Sequence, residues 1–185
     1  MRKALVFLGV VVVCTAFATE WIIGGGVTFL NISGWNISTG LLDRSYSIEA
    51  GFDFDIGRTI EGTATNLYNL EMLGKIPLYR IEGLAFGPAL SLMYGNFPVG
   101  SATDTSWKAT FSAGVFGQYE FENISFSFGF LYPFVDNFDF TKAVYASAKF
   151  FIQPPEGKKF IDKLFVGVDM LSGRVRLMVG LAEPF

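Results

Sequence analysis

Glu49, Asp53 and Asp55 have the clearest claim to chemistry, because an alternating segment puts all three carboxylates on one face. Such a set could move protons or hold a hard cation. The rest of the chain does not support either use. Histidine is absent and Cys14 is the only cysteine, which removes the commonest general base and the soft metal ligands. No ordered calcium loop surrounds the carboxylates. Glu71, Lys75, Lys108, Glu120, Lys149, Asp169, Arg174 and Arg176 occupy the same polar parity of other alternating segments. Acids and bases so mixed predict a set of salt bridges that neutralise one another, or else a charged path for small polar solutes. Gly24-Gly25-Gly26 is no phosphate loop, since it lacks the lysine and the following helix; it relieves crowding or bends a strand. A net charge of −3 with no basic run argues against nucleic acid. No catalytic site, cofactor or metal is expected.

The elements that must hold these charges are strands. The composition is 51% hydrophobic and 17% charged, with 21 Phe and 21 Gly. Beyond the N-terminus, however, no apolar run approaches the length of a spanning helix. The apolar residues recur instead with period two. Tyr46, Ile48, Ala50, Phe52, Phe54 and Ile56 share one face, and Ser45, Ser47, Glu49, Gly51, Asp53 and Asp55 share the other. Comparable runs begin at Leu84, Trp107 and Ile124, each long enough for a tilted strand across a bilayer. The polar faces are rich in Gly, Ser, Ala and Thr, a filling that suits a narrow barrel interior better than an open solvated face.

Turns set the register. Ser172-Gly173 fits a two-residue hairpin, which places Leu171 opposite Arg174, Asp169 opposite Arg176 and Val166 opposite Val179. Glu122-Asn123 pairs Tyr119 with Phe126 and Gln118 with Ser127. Arg80-Ile81-Glu82 reads as a three-residue turn with Leu78 and Leu84 both outward. Strands are expected at 20–31, 35–42, 44–56, 66–79, 84–95, 107–121, 124–134, 139–152, 163–171 and 174–185. That gives an all-β fold: a closed, antiparallel, up-and-down transmembrane β-barrel of about ten strands, with eight as the alternative. Pro77 and Pro88 fall within strands and predict bulges there.

With both termini inside, the connections near 32–34, 57–65, 96–106, 135–138 and 172–173 lie outside, and those near 43, 80–82, 122–123 and 153–162 lie inside. Trp35, Tyr68, Tyr94, Trp107 and Tyr132 then gather toward the outer rim, and Trp21, Tyr46 and Tyr119 toward the inner one. Two aromatic girdles are what a bilayer with two interfaces selects.

Arg2 and Lys3, the apolar stretch Ala4 to Val13 and Ala16-Phe17-Ala18 read as a cleaved signal peptide over 1–18, leaving 19–185 as the barrel domain. Val13 before Cys14 is bulky where a lipobox wants a small residue. At the other end Val175, Leu177, Val179, Leu181 and Phe185 share one parity, and Phe185 is last. This ending resembles the signal that bacterial outer-membrane β-barrels present to their assembly machinery. Glu183 and Pro184 depart from that pattern. The resemblance implies outer-membrane lipid and the barrel-assembly machinery as partners, and residence in the outer membrane. It also implies a structural or surface-interaction role, with a narrow pore for small solutes as a further option and the solute or surface partner unknown. The barrel enzymes of that membrane rely on a histidine, and none can be mapped here, so the chain is expected not to be an enzyme. The alternative is a soluble exported barrel resembling a lipocalin, with an apolar interior and Glu49, Asp53, Asp55, Arg174 and Arg176 in solvent.

Overall fold

The computed structural model describes residues 20–29, 34–42, 46–60, 63–99, 104–121, 123–134, 140–152 and 163–184. The signal segment, Cys14 and Phe185 lie outside the described residues. Among the described residues the strands are β1 (Glu20–Phe29), β2 (Gly34–Leu42), β3 (Ser47–Ile60), β4 (Thr63–Lys75), β5 (Tyr79–Ile81), β6 (Leu84–Val99), β7 (Asp104–Phe121), β8 (Ile124–Pro133), β9 (Val144–Ile152), β10 (Lys163–Leu171) and β11 (Arg174–Pro184). One helical turn, α1 (Phe140–Ala143), precedes β9.

Every strand pairs antiparallel with its sequence neighbour, except that β4 and β5 both lie against β6, and β1 pairs with β11 to close the sheet. β4 and β5 therefore form a single stave, and the barrel has ten. Closure leaves no open row of backbone donors and acceptors, which hydrocarbon could not satisfy.

The shared stave breaks at Ile76-Pro77-Leu78, where a bulge was expected. From Lys75 to Tyr79 is four residues, whereas from their partners Ala89 to Phe86 is three, so one residue is extra. The ladder continues around Pro77, with Ile76 N donating to Pro88 O (3.1 Å) and Leu78 N to Phe86 O (2.9 Å). In a strand the N and O of one residue point the same way, so the nitrogen of Pro88 also faces the break. Its missing donor therefore falls where the ladder is already interrupted. A Cβ on Gly87 would lie 1.8 Å from Ile76 O, so only glycine fits that crossing.

The extra residue changes the parity beyond it and corrects one turn. Tyr79 and Ile81 point outward with Phe86 and Leu84, and the turn is Glu82-Gly83 rather than Arg80-Ile81-Glu82. Glu82 (φ 44°) and Gly83 (φ 83°) both lie in the left-handed region, the geometry of a type I′ hairpin. A Cβ on Gly83 would also meet Glu120 O at 2.6 Å. Gly83→Val should therefore cost more than the roughly 1–2 kcal/mol of left-handed strain alone, read as a lower midpoint in urea unfolding.

Two further expectations are corrected. Residues 57–65 and 96–106 are mostly not loops, because β3 and β4 run on to Ile60 and Thr63, and β6 and β7 to Val99 and Asp104. These extensions carry mostly polar and β-branched residues, which allow strand geometry without a continuous apolar face. A bulge with Gly57 at φ 73° shifts the β3–β4 register between Asp55 and Arg58. The eighth stave starts at Val144 and not at 139, since 140–143 form α1.

Burial runs opposite to that of a water-soluble protein. Trp35 is 63% exposed, Phe128 55% and Val179 63%, while Arg174 is 2% exposed, Glu71 1% and Asp53 0%. A surface of Phe, Val, Leu and Trp around an ionic interior is stable only where the exterior meets hydrocarbon.

Candidate functional site: the charged lumen

The inward side chains divide into two ionic networks, each with two carboxylates and two cations. The first lies toward the end of the barrel away from the termini and joins Asp53, Glu71, Arg174 and Arg176. Arg176 grips Asp53 through two hydrogen bonds, Nε to Oδ1 (2.7 Å) and Nη2 to Oδ2 (2.6 Å), a fork geometry that only arginine offers. Its Nη2 also lies 3.2 Å from Glu71 Oε2. Arg174 Nη2 donates to the same Glu71 oxygen. Thr28 Oγ1 (2.8 Å) and Asn69 Nδ2 (3.1 Å) complete the shell of Asp53. Gly51 makes this possible, because a Cβ there would lie 2.9 Å from the Arg176 guanidinium carbon.

The second network joins Glu49, Asp169, Lys75 and Lys149. Glu49 accepts from Lys75 Nζ at 2.9 Å and from Lys149 Nζ at 2.6 Å. Asp169 accepts from Ser147 Oγ and lies 3.7 Å from Lys149 Nζ. Lys75 also reaches Gln118, Ser127 and Tyr145 at 3.4 Å each, with its Nζ 5.5 Å from the centroid of the Tyr145 ring. Counting round the wall in either direction, β3 and β9 are five staves apart, so the Glu49–Lys149 pair spans the full width of the lumen.

Apolar side chains fill other parts of the interior. Leu73, Ala89, Phe116, Leu131, Tyr145 and Leu171 form one cluster. Ile22, Phe165, Met178 and Ala182 form another nearer the termini. Phe165 fits because Gly24 and Gly180 are bare: a Cβ on either would lie 2.9 or 2.5 Å from its ring. Crowding is thus the reason for glycine at the first position of the Gly24-Gly25-Gly26 run. Between the two ionic networks lies a cavity of about 30 Å³, lined by Glu49, Glu71, Lys149, Asp169 and Arg176 among others. That is space for about two water molecules.

The structure assembles most of the sequence-derived charges but not all of them. Asp55 is buried on the same face as Asp53. Lys108 and Glu120 share the inward parity but are exposed near opposite ends of β7, and Glu120 accepts from Gln118 Nε2 at 2.6 Å. Asp169 and Arg176 are register partners as the Ser172-Gly173 turn requires, yet they do not pair with each other as ions. Arg176 turns to Asp53 and Glu71, while Asp169 is taken by Ser147 and Lys149 on the adjacent strand. Nor do Glu49 and Asp53 converge on a cation site, since each is bound by its own basic partners. Sequence reasoning missed Thr28, Asn36, Asn69, Asn96 and Ser172. The first three share the inward parity of their strands and could have been found from it.

Among the aromatics, Trp35, Tyr94, Trp107 and Tyr132 are exposed toward the far end, with Tyr94 and Trp107 stacked at 5.1 Å. Tyr68 is half-buried against Phe52, with ring centroids 6.3 Å apart. Trp21 and Tyr119 are exposed near the terminal end, where Trp21 Nε1 donates to Thr39 Oγ1 at 3.0 Å. Tyr46 is half-buried just before β3. The lipocalin-like alternative is overturned by the charges, because Glu49, Asp53, Asp55, Arg174 and Arg176 all face the interior.

No family model matches the chain, and no curated protein matches it. Among solved structures it is similar to Neisserial surface protein A (NspA), at 13% identity over 90% of this chain and 96% of that one, with a TM-score of 0.32. It is also similar to a major outer membrane protein from Thermus thermophilus, at 12% identity over 91% and 100% of the two chains, with a TM-score of 0.37.

Proposed function

We propose that this chain is a non-enzymatic outer-membrane β-barrel with a structural or surface-interaction role, its lumen closed by its own side chains. The observation that carries this reading is the inversion of burial, with paired charges inside and aromatic and aliphatic side chains outside. Among the described residues, two neutral networks and two apolar clusters occupy the lumen, and the cavity between the networks, about 30 Å³, is too small for a continuous water column. In this reading the lipid of the outer membrane is the solvent of the exterior, and an exported chain reaches it through the barrel-assembly machinery. Partners would meet the extended β3–β4 and β6–β7 hairpins at the far end.

Two measurements test it. The detergent-extracted protein should run faster on a gel unboiled than boiled, as a closed sheet resists detergent and stays compact. Reconstituted in a planar bilayer, it should pass little or no steady current. Recovery in the soluble periplasmic fraction, with no gel shift, would refute membrane residence. A steady open channel would refute the closed lumen.

A further inference from the structure

The hairpins at the far end do not behave alike. β3–β4 and β6–β7 run on past their neighbours, whereas β10–β11 stops at a two-residue turn. That turn, Ser172-Gly173, leans into the barrel mouth. Glu71 on β4 stands four staves from β11 and five from β10, which in a ring of ten is the opposite wall. Even so, Ser172 Oγ donates to Glu71 Oε1 at 2.5 Å, and Arg174 donates to the other oxygen of the same carboxylate. A serine side chain is too short to bridge a lumen, so the backbone of the turn itself must reach across. Gly173 is accordingly buried, and Leu171 packs with Leu73, Phe116 and Leu131 from the facing strands.

This closed arrangement is held but not fully satisfied. Arg174 is 2% exposed, yet its Nη1 has no hydrogen-bond partner and its Nε reaches Asp53 Oδ2 only at 3.7 Å. Buried donors left unmatched work against the state that buries them, and exposure to water would relieve them. One carboxylate holding both sides of a turn, beside an under-satisfied guanidinium, describes a closure that can be released.

We propose that the Ser172-Gly173 turn is a latch over the far mouth of the lumen, fastened by Glu71, and that its release admits small inorganic ions to the interior. The proposal rests on the closed-lumen reading above and adds the element that opens it. Below the latch lies the cavity lined by Ser38, Thr39, Glu49, Lys149, Asp169 and Arg176, whose mixed charges suit small ions of either sign.

The test places a cysteine under the latch, Ser38→Cys on a Cys14→Ser background, and follows its reaction with a small, charged, membrane-impermeant thiol reagent in lipid vesicles. With the latch intact, labelling is slow. Glu71→Gln should speed it about tenfold or more, the scale of losing a charge-assisted hydrogen bond. Ser172→Ala, which leaves every charge in place, should speed it less, and Glu20→Gln, which loosens only the Lys163 pair at the terminal end, should leave it slow. Heat-shifted mobility on a gel checks that each variant is folded, and Ser172→Ala decides the matter if Glu71→Gln does not assemble. Slow labelling in folded Glu71→Gln and Ser172→Ala would overturn the latch and leave the closed lumen standing. Fast labelling without either substitution would overturn the closed lumen itself, and the latch with it.

Discussion

Arg176→Ala should destabilise the folded barrel by about 3–5 kcal/mol, the cost of leaving a buried charge without its partner. The Asp53 carboxylate is 0% exposed, and its two strongest contacts, at 2.7 and 2.6 Å, both come from Arg176. Thr28 and Asn69 remain after the substitution, but neither is charged. Urea titration in phospholipid vesicles, followed by tryptophan fluorescence, measures the loss. All three tryptophans lie on the outward face and report on withdrawal from lipid. A second variant separates desolvation from packing. Removing both charges at once, as Arg176→Met with Asp53→Leu, should recover at least half of the loss, since a buried pair replaced by apolar groups is often nearly neutral. A loss below about 1 kcal/mol for Arg176→Ala would mean that the network is solvated and that the lumen is open to water.

Phe128→Arg should impair membrane assembly, with a cost of about 2–4 kcal/mol at mid-bilayer. Phe128 sits halfway along β8, between its register partners Gly117 and Ala146, and is 55% exposed. Its ring covers the bare Gly117, where a Cβ would lie 2.6 Å away. Phe128→Leu is the control, because it keeps an apolar group on the same face. If Phe128→Arg inserts as readily as Phe128→Leu, with the same gel shift, the outward face does not meet hydrocarbon and the inside-out reading fails.

The parts of this fold that were legible in the sequence are those governed by local rules. Alternation assigned faces correctly along β3, β6, β7 and β8, because side chains on a strand can point only two ways. The Ser172-Gly173 turn set the β10–β11 register residue by residue, because both positions adopt positive φ, at 52° and 74°. Legibility ended where a second strand or the bilayer edge took over. The break at Pro77 was foreseeable, but its extra residue shifted the parity beyond it and so misplaced the next turn. The far ends of β3, β4, β6 and β7 lack a continuous apolar face, so these strands looked shorter than they are. In the lumen the charged residues could be identified, but their partners could not. Arg176 meets Asp53 from three staves away, a choice made by the curvature of the closed sheet and the missing side chain of Gly51.

The seam between β1 and β11 runs through ten residue pairs, from Glu20↔Pro184 to Phe29↔Val175. Its two sides stand nearly a whole chain length apart in sequence, so loop entropy makes it among the slowest contacts to form. Until it does, each side is a bare edge able to recruit any extended strand. A chain that loses its last strand to a premature stop is therefore no weaker copy of the barrel. It is an open sheet with two adhesive margins, prone to aggregation. Ten backbone pairs between the first and last strands thus decide whether the sheet is a closed body or a template for others.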